Sequence, residues 1–250
     1  MTWGLVGALF IGVSLGLLGS GGSILTVPIL VYLVGEPEKL AIAESLGIVA
    51  AISFVGAIPY AIKKEIHWKS LFYFGIPGMI GTYGGASISE FISATVQLLI
   101  FAGVMLLVAF FMIKGRNEQT EKPKTASKWL LISEGLVVGV LTGLVGVGGG
   151  FLIIPALVLL GGLSMRLAVG TSLLIITFKS LIGFLKYMEV LAKQDLSMNW
   201  DLILIFSLIG AIGSFVGKKI GDKVPQNSLK KGFGYLLVVM GVYIIYTNMG

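Results

Sequence analysis

The 250-residue sequence predicts an all-α polytopic membrane protein made of two inverted repeats, each a glycine-broken, re-entrant-like helical hairpin followed by three transmembrane helices. Three observations predict it. The chain is 56% apolar and 12% charged, with a mean hydropathy of +0.99, whereas soluble domains carry about 25% charged residues. Glycine is abundant at 36 residues, roughly twice ordinary usage, although it weakens helices. The two halves also repeat one another. The composition excludes a soluble enzyme, a nucleic-acid binder and a disordered chain. At about 20 apolar residues per span, there is room for roughly seven to ten membrane segments and little else.

Taken in order, apolar runs at 3–34, 40–62, 68–88 and 95–113 form the first repeat, residues 1–113. Residues 114–128, KGRNEQTEKPKTASK, carry five basic residues and one proline and read as a linker. Runs at 129–160, 166–186, 200–217 and 232–247 form the second repeat, residues 129–250. GLLGSGGSILTVPIL at 16–30 matches GLVGVGGGFLIIPAL at 143–157 with an offset of 127, and the same offset sets Ser45 on Ser172 and Ser53 on Ser180. After a five-residue insertion the offset becomes 132, which sets Trp68 on Trp200 and Gly78, Gly81 and Gly85 on Gly210, Gly213 and Gly217. So many glycines, prolines and tryptophans in one order mark an internal duplication, a common transporter plan. Trp3, Trp68, Trp129 and Trp200 sit at span starts, as interfacial anchors do. Residues 1–18 lack the basic start of a secretory leader.

The placement of lysine and arginine separates two topologies. If 3–34 and 129–160 each cross once, the basic residues divide ten against seven. If each segment instead enters and returns at its glycines, they divide fourteen against three, with Lys179 inside a span and left out of both counts. The second arrangement fits the positive-inside bias. It inverts the repeats and places both termini outside and the linker in the cytoplasm. Residues 3–18 and 24–34 are each shorter than the ~20 residues of a full span. Irregular backbone at membrane depth must be buried in protein or line a cavity. A single kinked helix is the plainer alternative.

The turns Gly19-Ser20-Gly21-Gly22-Ser23 and Gly146-Val147-Gly148-Gly149-Gly150 precede short helices. A helix N-terminus offers unpaired N–H groups and partial positive charge, and glycine lets an anion come close. Tight packing alone would also use glycine here. Neither turn is a nucleotide loop, since no GxxxxGK[ST] occurs and no strand precedes. Pro28 and Pro155 bend the second half-helices and free a carbonyl. Ser45, Thr171 and Ser172 stand near the starts of the next spans, where a hydroxyl suits an oxyanion or equally bonds back to its own helix. Glu44 aligns with Thr171; this asymmetric carboxylate suits proton coupling, or is an interfacial acid. Lys179 lies inside LLIITFKSLIGF. An intramembrane lysine is costly and reads as functional, the alternative being a snorkel toward Lys186 at the outer end of the span. Gly75, Gly78, Gly81 and Gly85, and Gly210, Gly213, Gly217 and Gly221, are small-residue stripes for helix packing. His67 reads as a solvated loop residue, and Glu134 as interfacial or facing a vestibule. With no cysteine and a single histidine, no disulfide, cofactor or metal site is expected.

The paired Gly-x-Gly-Gly turns, each followed by a proline and then by a span with a serine near its start, resemble the TauE/SafE family of sulfite exporters and related anion permeases. The resemblance covers essentially the whole chain. Ser23, where the second repeat has Gly150, is a small departure. The resemblance implies a multi-pass transporter, not an enzyme, for sulfur-containing oxyanions such as sulfite, sulfoacetate or other organosulfonates, with proton coupling as a family-level expectation. The candidate substrate-binding set is Gly19, Ser20, Gly21, Gly22, Ser23, Ser45, Gly146, Gly148, Gly149, Gly150, Thr171, Ser172 and Lys179, with Glu44 for the proton. A passive anion channel and a transporter of another small anion or cation stay open as alternatives, and a homo-oligomer is compatible.

Overall fold

The computed structural model of the chain describes residues 2–19, 21–114, 128–145, 150–157, 161–221 and 223–249. Among these, every regular element is helical. Ten α-helices follow in order: α1 (Thr2–Leu18), α2 (Gly21–Pro28), α3 (Glu38–Ile62), α4 (Trp68–Ile88), α5 (Ala94–Lys114), α6 (Lys128–Val145), α7 (Gly150–Pro155), α8 (Met165–Ala192), α9 (Trp200–Gly221) and α10 (Gln226–Met249). Long apolar sequence in lipid has to satisfy its backbone within the segment, which selects helices. By length and composition, Glu38–Ile62, Lys128–Val145, Arg166–Ala192 and Trp200–Gly221 can each cross a membrane. The span that was expected to end near Lys186 continues to Ala192, so this lysine is not its terminus.

The two glycine-broken segments share their details. Pro28 closes α2, and the chain widens into a π-helix over Ile29–Val34. Pro155 closes α7, and residues 156–157 are again π-helical. Proline has no N–H for the carbonyl one turn back, and the wider turn absorbs the mismatch. Both segments end on a left-handed glycine, Gly35 at φ +85° and Gly162 at φ +65°. Just beyond, Glu36 N–H donates to Leu30 O and Leu163 N–H donates to Leu157 O, each at 3.0 Å.

Helix pairing is matched between the halves: α1 packs along α9, α6 along α4, α3 along α8 and α5 along α10. Glycines set the closeness of the first two pairs. A Cβ at Gly12 or Gly16 would run into the carbonyls of Gly210 and Ser214, and one at Gly139 or Gly143 into those of Gly78 and Thr82. From the other side, Gly217 meets Val13 O and Gly85 meets Val140 O. The stripes in α4 and α9 are therefore packing surfaces, and their complement is a second set of glycines in α1 and α6.

Contacts fix the directions of α1, α3, α8 and α10. α3 and α8 run antiparallel, because Gly47 meets Phe184 while Gly170 meets Tyr60. The end where α3 begins, called the near end, also holds the end of α8, through Lys193 Nζ on Glu90 Oε1 at 2.7 Å. It holds the end of α10 as well, through Asn248 Nδ2 on Tyr32 Oη at 2.8 Å. α1 starts there too, with Gly4 against Val34. The far end holds the close of α3 and the start of α8, where Arg166 lies 3.7 Å from Glu65.

Candidate functional site

Lys179, in the body of α8, is fully buried. Gly78 of α4 makes room for it: a Cβ there would lie 3.1 Å from the lysine Cδ. Nζ donates to Thr142 Oγ1 of α6 at 3.2 Å, and Thr142 itself donates to Val138 O at 2.5 Å. An ammonium has three donors, yet among the described residues Thr142 is the one hydrogen-bond partner and no carboxylate pairs with it. The alternative of a snorkel to the surface does not match this burial. The repeat supplies a control. Ile52 of α3 aligns with Lys179, and Ile52 packs on Gly210 of α9 where Lys179 packs on Gly78. One slot of the fold thus holds an aliphatic side chain in one half and a cation in the other.

The remaining candidates divide between the two ends. Gly19 has φ +66°, a conformation for which glycine is suited, and its turn lies against Val169 of α8. Ser172 Oγ donates to Gly19 O at 3.3 Å and to Val169 O at 2.9 Å. Gly22 is pressed against α1, with Ile11 O at the position a Cβ would take, and Ser23 is buried behind it. Gly21 and Gly150 open α2 and α7; Ser20, Gly146, Gly148 and Gly149 lie outside the described residues. Ser45 donates back to Ile42 O at 2.8 Å. The α3–α8 register sets Ser45 level with Lys186 and Ser172 level with residue 58. At 1.5 Å per residue, the two serines are therefore separated by about 20 Å along the helix axes. Ser45 and Glu44 belong to the near end and Thr171, Ser172 and Gly19 to the far end, with Lys179 between.

Two cross-repeat bonds were not legible from motifs. Thr171 Oγ1 accepts the His67 N–H at 2.8 Å, and Glu44 Oε1 accepts the Asn199 N–H at 2.8 Å. His67 caps α4, its Nδ1 accepting from Ser70 N–H at 3.2 Å, and Asn199 caps α9, its Oδ1 accepting from Leu202 N–H at 3.1 Å. His67 is thus a part-buried helix cap rather than a solvated loop residue. Ser53 and Ser180 also match: both are buried and have no hydrogen-bond partner among the described residues. Glu134 keeps one oxygen buried without a hydrogen-bond partner among the described residues.

The near end is stapled. Lys39 Nζ donates to Ser89 O at 2.6 Å, Gln97 Oε1 at 2.9 Å and Ile92 O at 3.2 Å. Gln97 Nε2 donates to Leu144 O, the exit of α6, and to Tyr187 Oη at 2.9 Å. Lys193, hydrogen-bonded to Glu90, holds that carboxyl below the usual carboxylate range. A shallow cleft of about 390 Å³ opens here between Lys39, Glu90, Ser93 and Gln194.

These features define a polytopic helical membrane protein with a buried cation and glycine-broken helices, the class to which transporters belong. The chain belongs to the sulfite exporter TauE/SafE family, whose model matches residues 4–244. It is 32% identical over 245 residues to a probable membrane transporter protein of Xylella fastidiosa (strain Temecula1 / ATCC 700964), covering 95% of this chain and 92% of that protein. It is 28% identical over 251 residues to a probable membrane transporter protein of Methanocaldococcus jannaschii, covering 95% and 94%. A Bacillus subtilis protein of the same description is 25% identical over 243 residues, covering 94% and 96%. The protein is a membrane transport protein of this family.

Proposed function

We propose that the chain is a secondary transporter of small sulfur-containing oxyanions, of the sulfite, sulfoacetate or organosulfonate type, working by alternating access. The observation that carries this reading is Lys179, fully buried with a single neutral partner and no counter-carboxylate among the described residues. An uncompensated buried ammonium is strongly unfavourable. An anion arriving beside it from one end supplies the missing charge, and the anion is released when the other end opens to water. The family description, a sulfite exporter, supports sulfur oxyanions as the class.

The repeats are read as inverted. The first broken segment leaves and returns at the near end, where Gly4 meets Val34. The second begins beside the start of α4, with Gly135 on Phe74, and leads into α8 at the far end. Both matched segments thus serve opposite faces, the arrangement that alternating access requires. The basic linker then lies in the cytoplasm and both termini outside. Lys179, midway between the two ends, is then the central stop. Reconstituted protein should accumulate labelled sulfite by counterflow. Lys179→Met should abolish the flux while leaving the protein folded; unaltered flux in that variant removes the assignment. Conductance without counterflow would favour a channel.

A further inference from the structure

The two cross-repeat bonds occupy equivalent places. Glu44 aligns with Thr171 at the offset of 127, and Asn199 aligns with His67 at the offset of 132. In each half, a side chain near the start of the long second helix holds the capping N–H of the other half's helix, at 2.8 Å in both cases. A neutral hydroxyl performs this task at the far end, so a carboxyl is not needed for it. Glu44 is nevertheless fully buried, and its Oε2 has no hydrogen-bond partner among the described residues. An orphan carboxylate oxygen in apolar surroundings is costly. The residue retains something a threonine lacks, and that is the capacity to take up a proton.

We propose that Glu44 is a proton-binding site that latches the near end. As a carboxylate it holds the Asn199 N–H by a charge-assisted bond at the positive end of α9, where negative charge is favoured. With a proton on Oε2 the residue is neutral, Oε1 remains an ordinary carbonyl acceptor, and the bond weakens to the level of the Thr171–His67 pair. Proton uptake therefore loosens α9 from α3 at this end alone. On the reading of the chain as a transporter, that links a proton to the opening of one face.

Most of the charged groups around Glu44 are already paired. α1, α2 and the π-helix after it carry no charged residue. The loop before α3 carries Glu36, and Glu38 at the start of α3 accepts from Thr95 Oγ1 at 3.4 Å. Lys39 on the same helix is bonded to Ser89, Ile92 and Gln97. Lys186 on α8 is paired with Glu189 at 2.6 Å, and Lys193 with Glu90 at 2.7 Å. Asp195 and Asp201 are exposed.

The chain has no native cysteine, so a reporter thiol is unambiguous. Ile203→Cys places it in the buried first turn of α9. Maleimide labelling in detergent is normalised to unfolded protein at each pH. Normalised labelling should rise about fivefold from alkaline to acidic pH, the factor separating a charge-assisted hydrogen bond from a neutral one. With Glu44→Thr, which installs the far-end solution, and with Glu44→Gln, labelling should be the same at every pH. A pH response in those variants equal to that of the parent overturns the proposal, as does a parent that shows none. Well-folded Glu44→Thr protein is expected, since threonine already serves at the equivalent position. The readout involves no transported solute, so its failure leaves the anion assignment standing, and a failure of sulfite flux leaves the latch result intact.

Discussion

Lys179 and Ile52 fill one slot of the fold in its two halves, so the lysine is a chemical choice rather than a packing need. Replacing a buried, uncompensated cation by an apolar side chain of similar volume is often neutral or stabilising. Lys179→Met should therefore unfold in denaturant no more easily than the parent while losing anion flux, a separation that a purely structural lysine would not show. Thr142→Val removes the ammonium's acceptor and should cost about 1–3 kcal/mol. In a double-mutant cycle the same change should cost much less in the Lys179→Met background, read from the same denaturation curves. At the surface, Lys193 depresses the Glu90 carboxyl by its hydrogen bond and its charge. A depressed folded-state value means that this staple stabilises above the ordinary carboxylate range and that the contribution is lost as pH falls through the depressed value. The effect is small and screened by salt, because the pair is exposed to solvent. Thermal unfolding scans at neutral and acidic pH should show Glu90→Gln reducing the acid sensitivity, and a variant as acid-sensitive as the parent would leave the staple without a role.

Among the elements, the closest pairs are α1 with α9 and α4 with α6, and each is set by backbone meeting backbone at glycine. Gly143→Ala puts a methyl group into Thr82 O and the start of Ala86, where no flexible side chain can yield, so helix separation has to grow. A loss of about 1–3 kcal/mol is expected from such overpacking. Gly84→Ala on α4 meets nothing within 4 Å and should be neutral or gain up to about 1 kcal/mol from helix propensity. Denaturation of the two variants side by side checks the pair, and equal losses would contradict the packing account. The sequence made the α4 and α9 stripes legible because four glycines at three- and four-residue spacing stand out. The complementary glycines of α1 and α6 sit among other apolar residues, and their role emerges only when the helices are paired. The same is true of the cap exchange. No motif announces that Glu44 and Thr171 hold Asn199 and His67, because each bond joins residues over a hundred positions apart.

At the scale of the molecule, the π-helical turns and the left-handed exits at Gly35 and Gly162 appear only in the folded chain, whereas the glycine break and the bending prolines Pro28 and Pro155 were legible as a repeated pattern. Their spatial consequence was not. The serines at the two span starts were expected to meet around one ligand, but an antiparallel α3–α8 pair sets them about 20 Å apart, and only Lys179 occupies the middle. The inverted arrangement is checked by single cysteines at Glu36, Ser164 and Met249. Impermeant labelling of intact cells should reach positions 36 and 249 and spare position 164 until the cells are permeabilised; finding 36 and 249 on opposite sides would defeat the arrangement. If the buried lysine receives the anion, direct calorimetric binding of sulfite reads it without reconstitution. Purified parent protein should bind sulfite at one saturable site, and Lys179→Met should show no binding heat at the same concentrations. Equal affinity in the two proteins would contradict the account.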